Sequence, residues 1–452
     1  MKLKNNIISK YNLTADQFEA WDKINLFIDD IYKPFFVLEG YAGTGKTYLI
    51  TRLIDYFVTE RKYDIAVTAP TNKAVKVLFN QSLNQKNKKI DFATTHSILG
   101  LREEVDGFGN INFVLPPDAK PKLDAYKLLF VDEASMINKT LFNYILPYVD
   151  KGIKVIFIGD PAQIPPVNET DSVVFETKYR KKYNFDTFKL TNIVRQYKDN
   201  PIIQTTFHIR QNPTKINIMD GIKAHKFDNM GVELYKNNAS NEDNIINLIH
   251  KYFVSNDFQS NADFAKLLAW RNETVNLYNE LIRYMIYGDN PKKIMIGEKL
   301  IVDTPIKHEV EDKILLHTNE EIIVKEYPIK QMYINFGKNK IFYYDTLVEY
   351  SSLTNKIKTE KIRIIHENSE SIYNAEVKKL ANNALKERQG SEKAKVEWMK
   401  YYAFKENFAN VKYNYCITCH KAQGSTYDNT IVMIYDILHN QKIGRASCRE
   451  RV

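Results

Sequence analysis

The sequence predicts an α/β protein whose first half is built on a doubly wound parallel sheet. Short apolar runs at 35–38, 65–68, 128–131 and 155–158 alternate with helical patterns, and each run is followed by polar or glycine-containing turn residues. Continuous β-branched and aromatic runs of this kind are typical of strands that are buried on both faces. Because ligands of such sheets bind beyond the carboxyl ends of the strands, we expect the functional residues directly after these runs.

A glycine-bearing segment between Leu99 and Tyr126 interrupts the alternation of strands and helices. Its sequence, EEVDGFGNINFVLPP, predicts a β-hairpin inserted between two strands of the sheet. After about Pro201 a second α/β region begins, with a predicted strand at 266–270 and a predicted helix at about 273–287.

The second α/β region is itself interrupted. The chain becomes β-rich and aromatic from 311 to 358, and it is charged and helical from 376 to 406. An apolar strand then returns at 431–434. We therefore expect an insertion within the second region, since its strand pattern resumes afterwards.

Bulk composition limits the class of protein. The chain has 452 residues and 44% hydrophobic content, which suits about three domains. It contains no apolar run near the roughly 18 residues that cross a bilayer, and its start lacks a signal-peptide core. We therefore expect an intracellular protein, in the cytoplasm of a bacterial or phage-infected cell. The net charge, 64 − 55 = +9, suits a polyanionic partner without proving one.

Cys416, Cys419 and His420 match a haem-attachment pattern, and the C-x-x-C spacing is also found in redox and zinc sites. The sequence offers neither an export signal nor a second C-x-x-C that would complete a metal site. The three cysteines of the chain also argue against a disulfide framework. These readings are therefore disfavoured.

The strongest motif in the sequence is a phosphate-binding loop directly after the first predicted strand. Glycines at spaced positions let backbone N–H groups surround phosphates, the lysine reaches the β- and γ-phosphates, and the threonine hydroxyl is offered to Mg²⁺. The alternative is a glycine-rich turn that binds nothing. The residues expected to hold ATP are Gly40, Gly43, Thr44, Gly45, Lys46 and Thr47.

Two further strand ends carry polar residues. The run at 128–131 ends in Asp132 and Glu133; in an NTPase the first would help to hold Mg²⁺ and the second would orient or deprotonate the attacking water. Taken alone, an Asp-Glu pair is more often a solvated turn. The run at 155–158 is followed by Gln163, which is a candidate sensor of the γ-phosphate.

Eight segments in order resemble the motifs of superfamily 1 helicases, specifically the RecD- and Dda-like branch. The resemblance extends over about residues 10–437, and the segments are GYAGTGKT, APTNKAVKVL, TTHSILGL, DEAS, GDPAQIPPV, LTNIVRQ, LAWRNETVNLYN and TCHKAQGST. It implies two RecA-like P-loop domains, the second of them incomplete. The first would occupy 1–200 with the hairpin at about 101–125, the second 201–310 and 407–442, and an SH3-like plus helical insertion 311–406.

The resemblance also assigns roles at the nucleotide. Gln17 is expected to read the adenine edge, while Thr14 or Asp16 nearby is equally suited to cap a helix. Arg195 resembles the arginine that reaches across the domain cleft to the γ-phosphate, where a fixed positive charge would stabilise the transition state. The alternative for Arg195 is an ordinary surface side chain.

A larger set of residues is expected, from the same resemblance, to face single-stranded DNA. Trp270 is open between stacking on a base and packing in a core, and His96 between a DNA contact and a core histidine. Phe108, at the hairpin turn, or Phe113 would stack on the last base pair. The full set is Pro70, Thr71, Asn72, Lys73, Thr95, His96, Ser97, Phe108, Trp270, Asn272, Thr418, His420, Lys421, Gln423 and Gly424.

The last ten residues, 443–452, depart from the family, whose motif VI has an apolar strand and a Thr-Arg pair. Translated back, IGRASCRERV is what a common sequencing adapter would encode, so we expect a truncated gene with a non-native tail. The alternative is that Arg445, Arg449 or Arg451 replaces the motif VI arginine. Without motif VI, the chain is expected to bind ATP and single-stranded DNA but to hydrolyse slowly and unwind poorly.

The resemblance thus implies a monomeric motor that uses ATP and Mg²⁺, moves 5′ to 3′ on single-stranded DNA and opens duplex at junctions. Roles in DNA replication, repair or recombination, with protein partners from those processes, are compatible with it. Two alternatives stay open: an ATPase that remodels RNA or nucleoprotein, and an ATP- and single-stranded-DNA-binding protein with little turnover.

Overall fold

The computed structural model describes most of the chain, namely residues 2–83, 85, 87–119, 121–166, 169–194, 200–211, 222–228, 230–235, 242–261, 263–307, 314–326 and 332–438. None of the helices found within these ranges combines the length and apolar character that crossing a bilayer requires.

The first part of the chain folds around a parallel sheet. Its strands and those of the hairpin are β1 (Phe35–Gly40), β2 (Ile65–Ala69), β3 (Ile90–Thr94), β4 (Arg102–Val105), β5 (Ile111–Val114), β6 (Leu128–Val131), β7 (Lys154–Gly159) and β8 (Asp186–Leu190). The sheet has six strands in the order β3-β2-β6-β7-β1-β8, and every neighbouring pair in it is parallel. The four predicted strands are confirmed as β1, β2, β6 and β7.

Helices cover both faces of this sheet, as the continuous apolar strands predict. They are α1 (Lys2–Tyr11), α2 (Ala15–Asp29), α3 (Lys46–Thr59), α4 (Asn72–Gln81), α5 (Thr95–Ile98), α6 (Lys139–Val149) and α7 (Thr177–Lys182). Short 3₁₀ turns lie at Lys122–Ala125, Ala134–Met136 and Val173–Phe175.

Successive residues of β1 enter opposite cores, because side chains alternate across a strand. Phe36 packs with Trp21 and Phe57 on the face covered by α2 and α3. Phe35 packs with Phe142 and Phe157 on the face covered by α6. Each such side chain contributes roughly 1.5–3 kcal/mol when buried, and the two cores together fix the strand order that sets the functional edge.

The predicted hairpin is confirmed as the antiparallel pair β4–β5, in which Arg102 lies opposite Val114 and Val105 opposite Ile111. Its turn is organised by Asp106, whose carboxylate accepts hydrogen bonds from the backbone N–H groups of Phe108 (2.9 Å) and Asn110 (2.8 Å). Both strands are largely exposed, so the hairpin projects from the domain.

A connecting region links the first sheet to the second. It contains α8 (Pro201–Gln211), β9 (His225–Phe227), β10 (Met230–Val232), α9 (Glu242–Phe253) and α10 (Asn256–Ser260). Ile209 on α8 is buried with Leu268 and Ile417, so this helix packs on the second core rather than on the first.

The second α/β region has a three-stranded parallel sheet. Its strands are β11 (Ala265–Ala269), β20 (Cys416–Thr418) and β21 (Asn429–Val432), with β11 in the centre. They are accompanied by α11 (Asn272–Tyr287), α14 (Cys419–Ala422) and α15 (Ile434–Leu438). The elements of the insertion lie between α11 and β20.

The predicted strand at 431–434 is wrong in its second half. The strand ends at Val432, and Ile434 begins α15. The physical reason is Asp436, which lies buried beneath the start of α11 and accepts hydrogen bonds from the backbone N–H groups of Trp270 (2.6 Å) and Arg271 (2.9 Å). The chain must turn after β21 to bring this carboxylate there.

The insertion is an antiparallel sheet with a pair of helices. Its elements are β12 (Lys299–Val302), β13 (Ile306–Lys307), β14 (Ile314–Leu316), β15 (Glu321–Glu326), β16 (Met332–Phe336), β17 (Asn339–Ser351), β18 (Ile357–Ile365), α12 (Glu370–Lys386), α13 (Glu392–Glu406) and β19 (Val411–Tyr413). The sheet order is β16-β17-β15-β12-β19, and β18 pairs with β17.

The observed insertion sheet includes residues on both sides of the predicted range 311–406. β12 lies between β15 and β19 and pairs with both, so the sheet begins by Lys299 and ends at Tyr413. The sequence did not indicate this, because β12 and β19 are short apolar strands that resemble those of the second α/β region. The predicted helical block from 376 to 406 corresponds to most of α12 and to α13.

Candidate functional site

The candidate nucleotide site lies at the carboxyl edge of the first sheet. β6, β7 and β1 are adjacent and parallel, so the residues that follow them lie side by side along one edge. Lys46, Asp132 and Gln163 are carried by the segments that follow these three strands. We call this set of segments, residues 40–47, 132–135 and 160–163, the nucleotide edge.

The loop after β1 is shaped by glycine. Gly43 and Gly45 have φ angles of +80° and +76°, in the left-handed region that other residues rarely adopt. A Cβ atom at Gly45 would also collide with Nε2 of Gln17. The loop therefore needs glycine there for both its backbone conformation and its close contact with α2.

Lys46 is the first residue of α3 and is nearly buried, with 5% of its surface exposed. Its ammonium donates to the carbonyl oxygens of Gly40 (2.7 Å) and Tyr41 (3.0 Å), so it lies within the loop rather than extending into solvent. The backbone N–H groups at the start of α3 have no partners inside the helix, and the helix dipole adds positive potential there. Together they form an anion-binding site of the kind used for phosphate.

Gln17 joins α2 to the same loop. It forms a capping box with Thr14, in which the Thr14 N–H donates to Gln17 Oε1 (3.0 Å) and the Gln17 N–H donates to Thr14 Oγ1 (3.2 Å). Its side-chain amide also donates to the carbonyls of Thr44 and Gly45, both at 3.4 Å. The predicted helix cap by Thr14 is confirmed, and the expected contact with adenine stays a prediction.

Asp132 and Glu133 end β6 in a strained turn. The N–H of Asp132 donates to the carbonyl of Thr68 (2.8 Å), which continues the ladder with β2. Glu133 has φ +51°, a conformation that costs a non-glycine residue about 1 kcal/mol or more and is often found at functional sites. Both carboxylates are nearly buried, with 9% and 6% exposed. They are therefore not the solvated turn that an isolated Asp-Glu pair suggests.

Gln163 lies close to the Asp132–Glu133 turn. Its Oε1 accepts a hydrogen bond from the Ser135 hydroxyl at 3.5 Å, and its N–H donates to the carbonyl of Asp160 (3.0 Å). Gly159 makes this approach possible, because a Cβ there would lie 3.1 Å from the Ala134 nitrogen. The structure thus brings the segment that follows β7 into contact with the segment that follows β6.

Arg210 is a part of this edge that the sequence analysis missed. Its guanidinium makes two hydrogen bonds to the Asp160 carboxylate, at 2.6 and 2.5 Å, and lies 4.1 Å from the centre of the Tyr41 ring. No motif in FHIRQN signals this contact, since Arg210 is 50 residues from its partner. Arg195, the arginine that the sequence analysis expected at the cleft, lies outside the described residues, as do 439–452.

The oxygen ligands available at the nucleotide edge fit Mg²⁺. This ion usually takes only one or two protein carboxylates or hydroxyls and completes its shell with water and substrate phosphates. Thr47, at the start of α3, and Asp132, directly after β6, offer such a pair at the same edge of the sheet. In the described ranges there is no cluster of three or more His, Cys, Asp or Glu suited to a metal.

Comparison with known proteins gives a consistent family. A profile described as "AAA domain" matches residues 14–227. ATP-dependent DNA helicase dda of Enterobacteria phage T4 is 25% identical over 93% of this chain and 92% of its own length. RecBCD enzyme subunit RecD of Buchnera aphidicola is 27% identical over 94% of this chain and 69% of its own length.

By these comparisons the chain is similar to superfamily 1 helicases of the RecD and Dda type. A solved structure, that of Pif1 helicase from Candida albicans, covers 97% of this chain and 92% of its own, with 14% identity and a TM-score of 0.47. The eight motif segments occur in family order along the sequence.

The residues that the protein was expected to use for DNA begin at α4. Thr71 caps this helix by accepting from the Ala74 N–H (3.3 Å), and Asn72 begins it. Lys73 is paired across the molecule with Glu321 of β15 at 2.9 Å. Asn72, Lys73, Glu321 and Gly424 line one cleft of about 950 Å³ between the first sheet and the insertion.

The neighbouring charged groups keep both Lys73 and Glu321 ionised. Although burial opposes the charged form of Glu321, the ammonium groups of Lys266 and Lys73 lower its pKa to about 2. Burial also opposes the charge on Lys73, but the nearby Glu321 keeps the pKa of that ammonium above its usual value. Both groups therefore stay charged at neutral pH.

Residues 95–97 form the short helix α5, and they differ in exposure. Thr95 is fully buried, whereas Ser97 is exposed. The His96 ring lies 4.2 Å from the Phe113 ring of the hairpin, and burial lowers the pKa of His96. His96 is thus packed against the hairpin base as a neutral imidazole at pH 7, and Ser97 is the exposed residue of this group.

A second group surrounds the end of β11 and β20. The rings of Trp270 and His420 lie 4.7 Å apart. Trp270 is partly buried, whereas His420 and Asn272, which begins α11, are exposed. Thr418 caps α14 by accepting from the Lys421 N–H (3.4 Å). Trp270 is therefore neither a fully buried core residue nor a free one. Gln423 follows α14, and Gly424 approaches α4, since a Cβ there would lie 3.6 Å from Cβ of Ala74.

Lys421 is also paired with a carboxylate of the insertion. Its ammonium lies 2.5 Å from Asp303, which directly follows β12 and also pairs with Lys412 at 3.0 Å. Burial opposes the charge on Asp303, but hydrogen bonds from the two lysines keep its pKa below the usual value. Lys73 and Lys421, from motifs in different domains, thus share the same kind of partner.

Cys416 on β20 and Cys419 at the start of α14 are both buried, and burial raises the pKa of the Cys416 thiol. A buried thiol of raised pKa is a poor nucleophile and metal ligand. The C-x-x-C spacing therefore reflects packing beneath motif V.

The hairpin turn contacts the helical part of the insertion. Phe108 is 63% exposed, yet its ring lies close to Gly390, between α12 and α13. The Gly390 N–H donates to the carbonyl of Gly107 (2.8 Å), and the Tyr402 hydroxyl donates to that of Gly109 (2.8 Å). The turn is thus fixed at its tip while the aromatic ring stays accessible.

Proposed function

We propose that this protein is an ATP-dependent DNA helicase that moves 5′ to 3′ along single-stranded DNA and opens duplex at junctions. The observation that carries the proposal is the nucleotide edge: a phosphate-binding loop, two acidic residues and a glutamine follow three adjacent parallel strands. Similarity over more than nine-tenths of both chains to a phage helicase supports the substrate class.

At the nucleotide, the α3 N-terminus and Lys46 bind and neutralise the ATP phosphates. Thr47 and Asp132 would hold Mg²⁺, which would neutralise phosphate charge. Glu133, adjacent to Asp132 and nearly buried, accepts a proton from the attacking water. Gln163, fixed to Ser135, responds to the γ-phosphate. Arg195, by its motif resemblance, supplies positive charge to that phosphate.

At the nucleic acid, α4 and α14 carry the motif lysines Lys73 and Lys421, and Lys73 lines the cleft between the first sheet and the insertion. Lys73 and Lys421 neutralise phosphates, which is the main source of affinity for single strands. Trp270 stacks on a base beside His420, and Phe108 contacts the last base pair at the hairpin tip.

The test is a pair of assays on the full chain. ATP hydrolysis is measured by phosphate release with no oligonucleotide, with a DNA oligonucleotide and with the matching RNA. Strand separation is measured on partial duplexes with a 5′ tail, a 3′ tail or blunt ends, with ATP or with ADP. We expect slow hydrolysis that DNA stimulates and weak separation of the 5′-tailed duplex, in both cases with ATP alone.

Each other outcome assigns a different function. Preference for the 3′-tailed duplex would reverse the proposed polarity. Stimulation by RNA that equals or exceeds stimulation by DNA would favour a remodelling enzyme. A protein distinguishes RNA from DNA by contacts to the 2′-hydroxyl, and such a result would show that no contact excludes RNA. Tight binding of ATP and single-stranded DNA without hydrolysis would identify a binding protein with little turnover.

A further inference from the structure

α8 connects the two α/β regions through two neighbouring residues. Ile209 is 6% exposed and packs with Leu268 and Ile417 in the core of the second sheet. Arg210, the next residue, extends in the other direction and pairs with Asp160 after β7 of the first sheet. The helix therefore packs on the second region through Ile209 and contacts the nucleotide edge through Arg210.

The pair between Arg210 and Asp160 is well ordered by its geometry. Two parallel N–H groups meet the two carboxylate oxygens at 2.6 and 2.5 Å, the arrangement that is specific to arginine and carboxylate. Only 17% and 6% of the two side chains is exposed, so water screens the pair weakly. The guanidinium also lies over the Tyr41 ring at 4.1 Å, in the loop that holds Lys46.

Asp160 transmits this contact to Gln163. Its carboxylate accepts from the Ala162 N–H (3.0 Å), and its carbonyl accepts from the Gln163 N–H (3.0 Å), so it closes the turn that carries Gln163. Gln163 in turn meets Ser135 at 3.5 Å. A continuous set of contacts thus runs from the second core through Arg210 and Asp160 to the turn after β6.

We propose that Arg210 is a positioning residue of the ATP site, which couples the placement of the second domain to the orientation of Gln163 and to the loop at Tyr41. The proposal rests on the proposed ATPase function. Arg210 acts through Asp160 and Tyr41, so it differs in role from Arg195, which the sequence analysis expected to touch the γ-phosphate.

The chemistry explains why an arginine is needed at this position. Removing the guanidinium would leave the Asp160 carboxylate nearly buried without its cation, beside a loop that binds a polyanion. It would also free the turn that carries Gln163 from α8. A lysine would restore the charge but not the two parallel donors or the flat surface that stacks on Tyr41.

The experiment measures how strongly the full chain prefers a mimic of the transition state over product. Affinity for ADP alone and for ADP with Mg²⁺ and aluminium fluoride is measured by displacement of a fluorescent ADP, in the presence of saturating oligothymidine. We expect Arg210→Ala to reduce this preference by roughly 10- to 100-fold, because a misoriented catalytic group loses transition-state contacts first. Affinity for ADP alone is expected to change less than about threefold.

Two further variants separate positioning from folding. Arg210→Lys should retain an intermediate preference. Arg61→Ala is the matched control, since Arg61 also pairs with an aspartate, Asp29, in the first domain but lies beyond the end of α3, away from the nucleotide edge. It should leave the preference unchanged, and thermal melting checks that each variant folds.

The outcomes distinguish the inference from the function on which it rests. If the unmodified chain binds neither ADP nor its aluminium fluoride complex, the proposed function fails and the inference fails with it. If the unmodified chain prefers the complex and Arg210→Ala prefers it equally, or if Arg61→Ala loses as much, only the positioning role of Arg210 is overturned.

Discussion

The lysine of the nucleotide edge, Lys46, differs from the two motif lysines, Lys73 and Lys421, in the groups that contact its ammonium. At the nucleotide edge Lys46 is held by carbonyl oxygens six and five residues earlier in its own loop. Lys73 and Lys421 are instead held by carboxylates of the insertion that are 248 and 118 residues away. The first charge is set by local sequence, and the other two depend on where the insertion lies.

This difference has a consequence for binding. The described contacts of Lys46 include two carbonyl oxygens of its own loop, whereas a strand that reaches Lys73 or Lys421 must compete with Glu321 or Asp303 of the insertion for the ammonium group. The insertion therefore supplies anionic partners to the same lysines that the strand is expected to contact. Removing a carboxylate of the insertion should therefore leave the affinity for nucleotide unchanged and alter the affinity for the strand.

The largest effect is expected from Lys46→Ala. Loss of the ammonium removes the fixed charge that faces the β- and γ-phosphates, so hydrolysis should fall by about 10²- to 10³-fold. Phosphate release measures this, and fluorescence anisotropy of a labelled oligonucleotide should show single-strand affinity within about twofold of the unmodified chain.

Lys10→Ala is the control for this change, because Lys10 forms an exposed pair with Glu60 at the far end of α3. If Lys46→Ala weakened strand binding as much as hydrolysis, the two regions would not be separable in the way that the contacts indicate.

The sequence predicted that Lys46, Asp132 and Gln163 lie at one edge of the sheet, because each belongs to a short segment with a recognisable pattern. Lys46, Asp132 and Gln163 each follow an apolar run, and parallel strands bring such ends together whatever the connections between them. The strands β1, β2, β6 and β7 were likewise predicted within two residues at each end.

The contacts that the sequence did not predict all join remote segments. Arg210 with Asp160, Lys73 with Glu321, and Lys421 with Asp303 depend on tertiary packing between separate regions. An individual acidic residue in a charged sequence carries no signal of its partner. The full extent of the insertion sheet was missed for the same reason, since β12 pairs with β15 and with the remote strand β19.

A second, intermediate effect is expected from Trp270→Ala. If the ring stacks on a base, its removal should weaken single-strand binding by about 1–3 kcal/mol, or roughly 5- to 150-fold. Anisotropy titrations measure this, and nucleotide affinity should not change. Trp270→Phe should retain part of the affinity, because it keeps an aromatic face.

Thermal melting tells this role from a purely structural one. Trp270 is partly buried against His420, so some loss of stability is expected in either case. A fall in melting temperature with no change in strand affinity would assign Trp270 to the core of the second region, and the strand would then be held by charge alone.

The smallest effect is expected from Asp303→Asn, and it bears most directly on the contrast between the two regions. Removing the carboxylate charge releases Lys421 from its partner, so affinity for oligothymidine at low salt should rise by about two- to fivefold, in keeping with the modest energy of such pairs. Nucleotide affinity should stay the same.

The pKa of Asp303 makes this prediction independent of pH over a wide range. A carboxylate whose pKa is lowered by folding stabilises the folded state above its unfolded pKa, and this contribution is lost only as pH falls through the folded value. The gain in strand affinity should therefore be equal at pH 6 and pH 8. Asp345→Asn is the control, since Asp345 pairs with Lys361 on the same sheet, away from both motifs. If Asp303→Asn weakened strand binding instead, Asp303 would serve to place Lys421 for the strand rather than to compete with it.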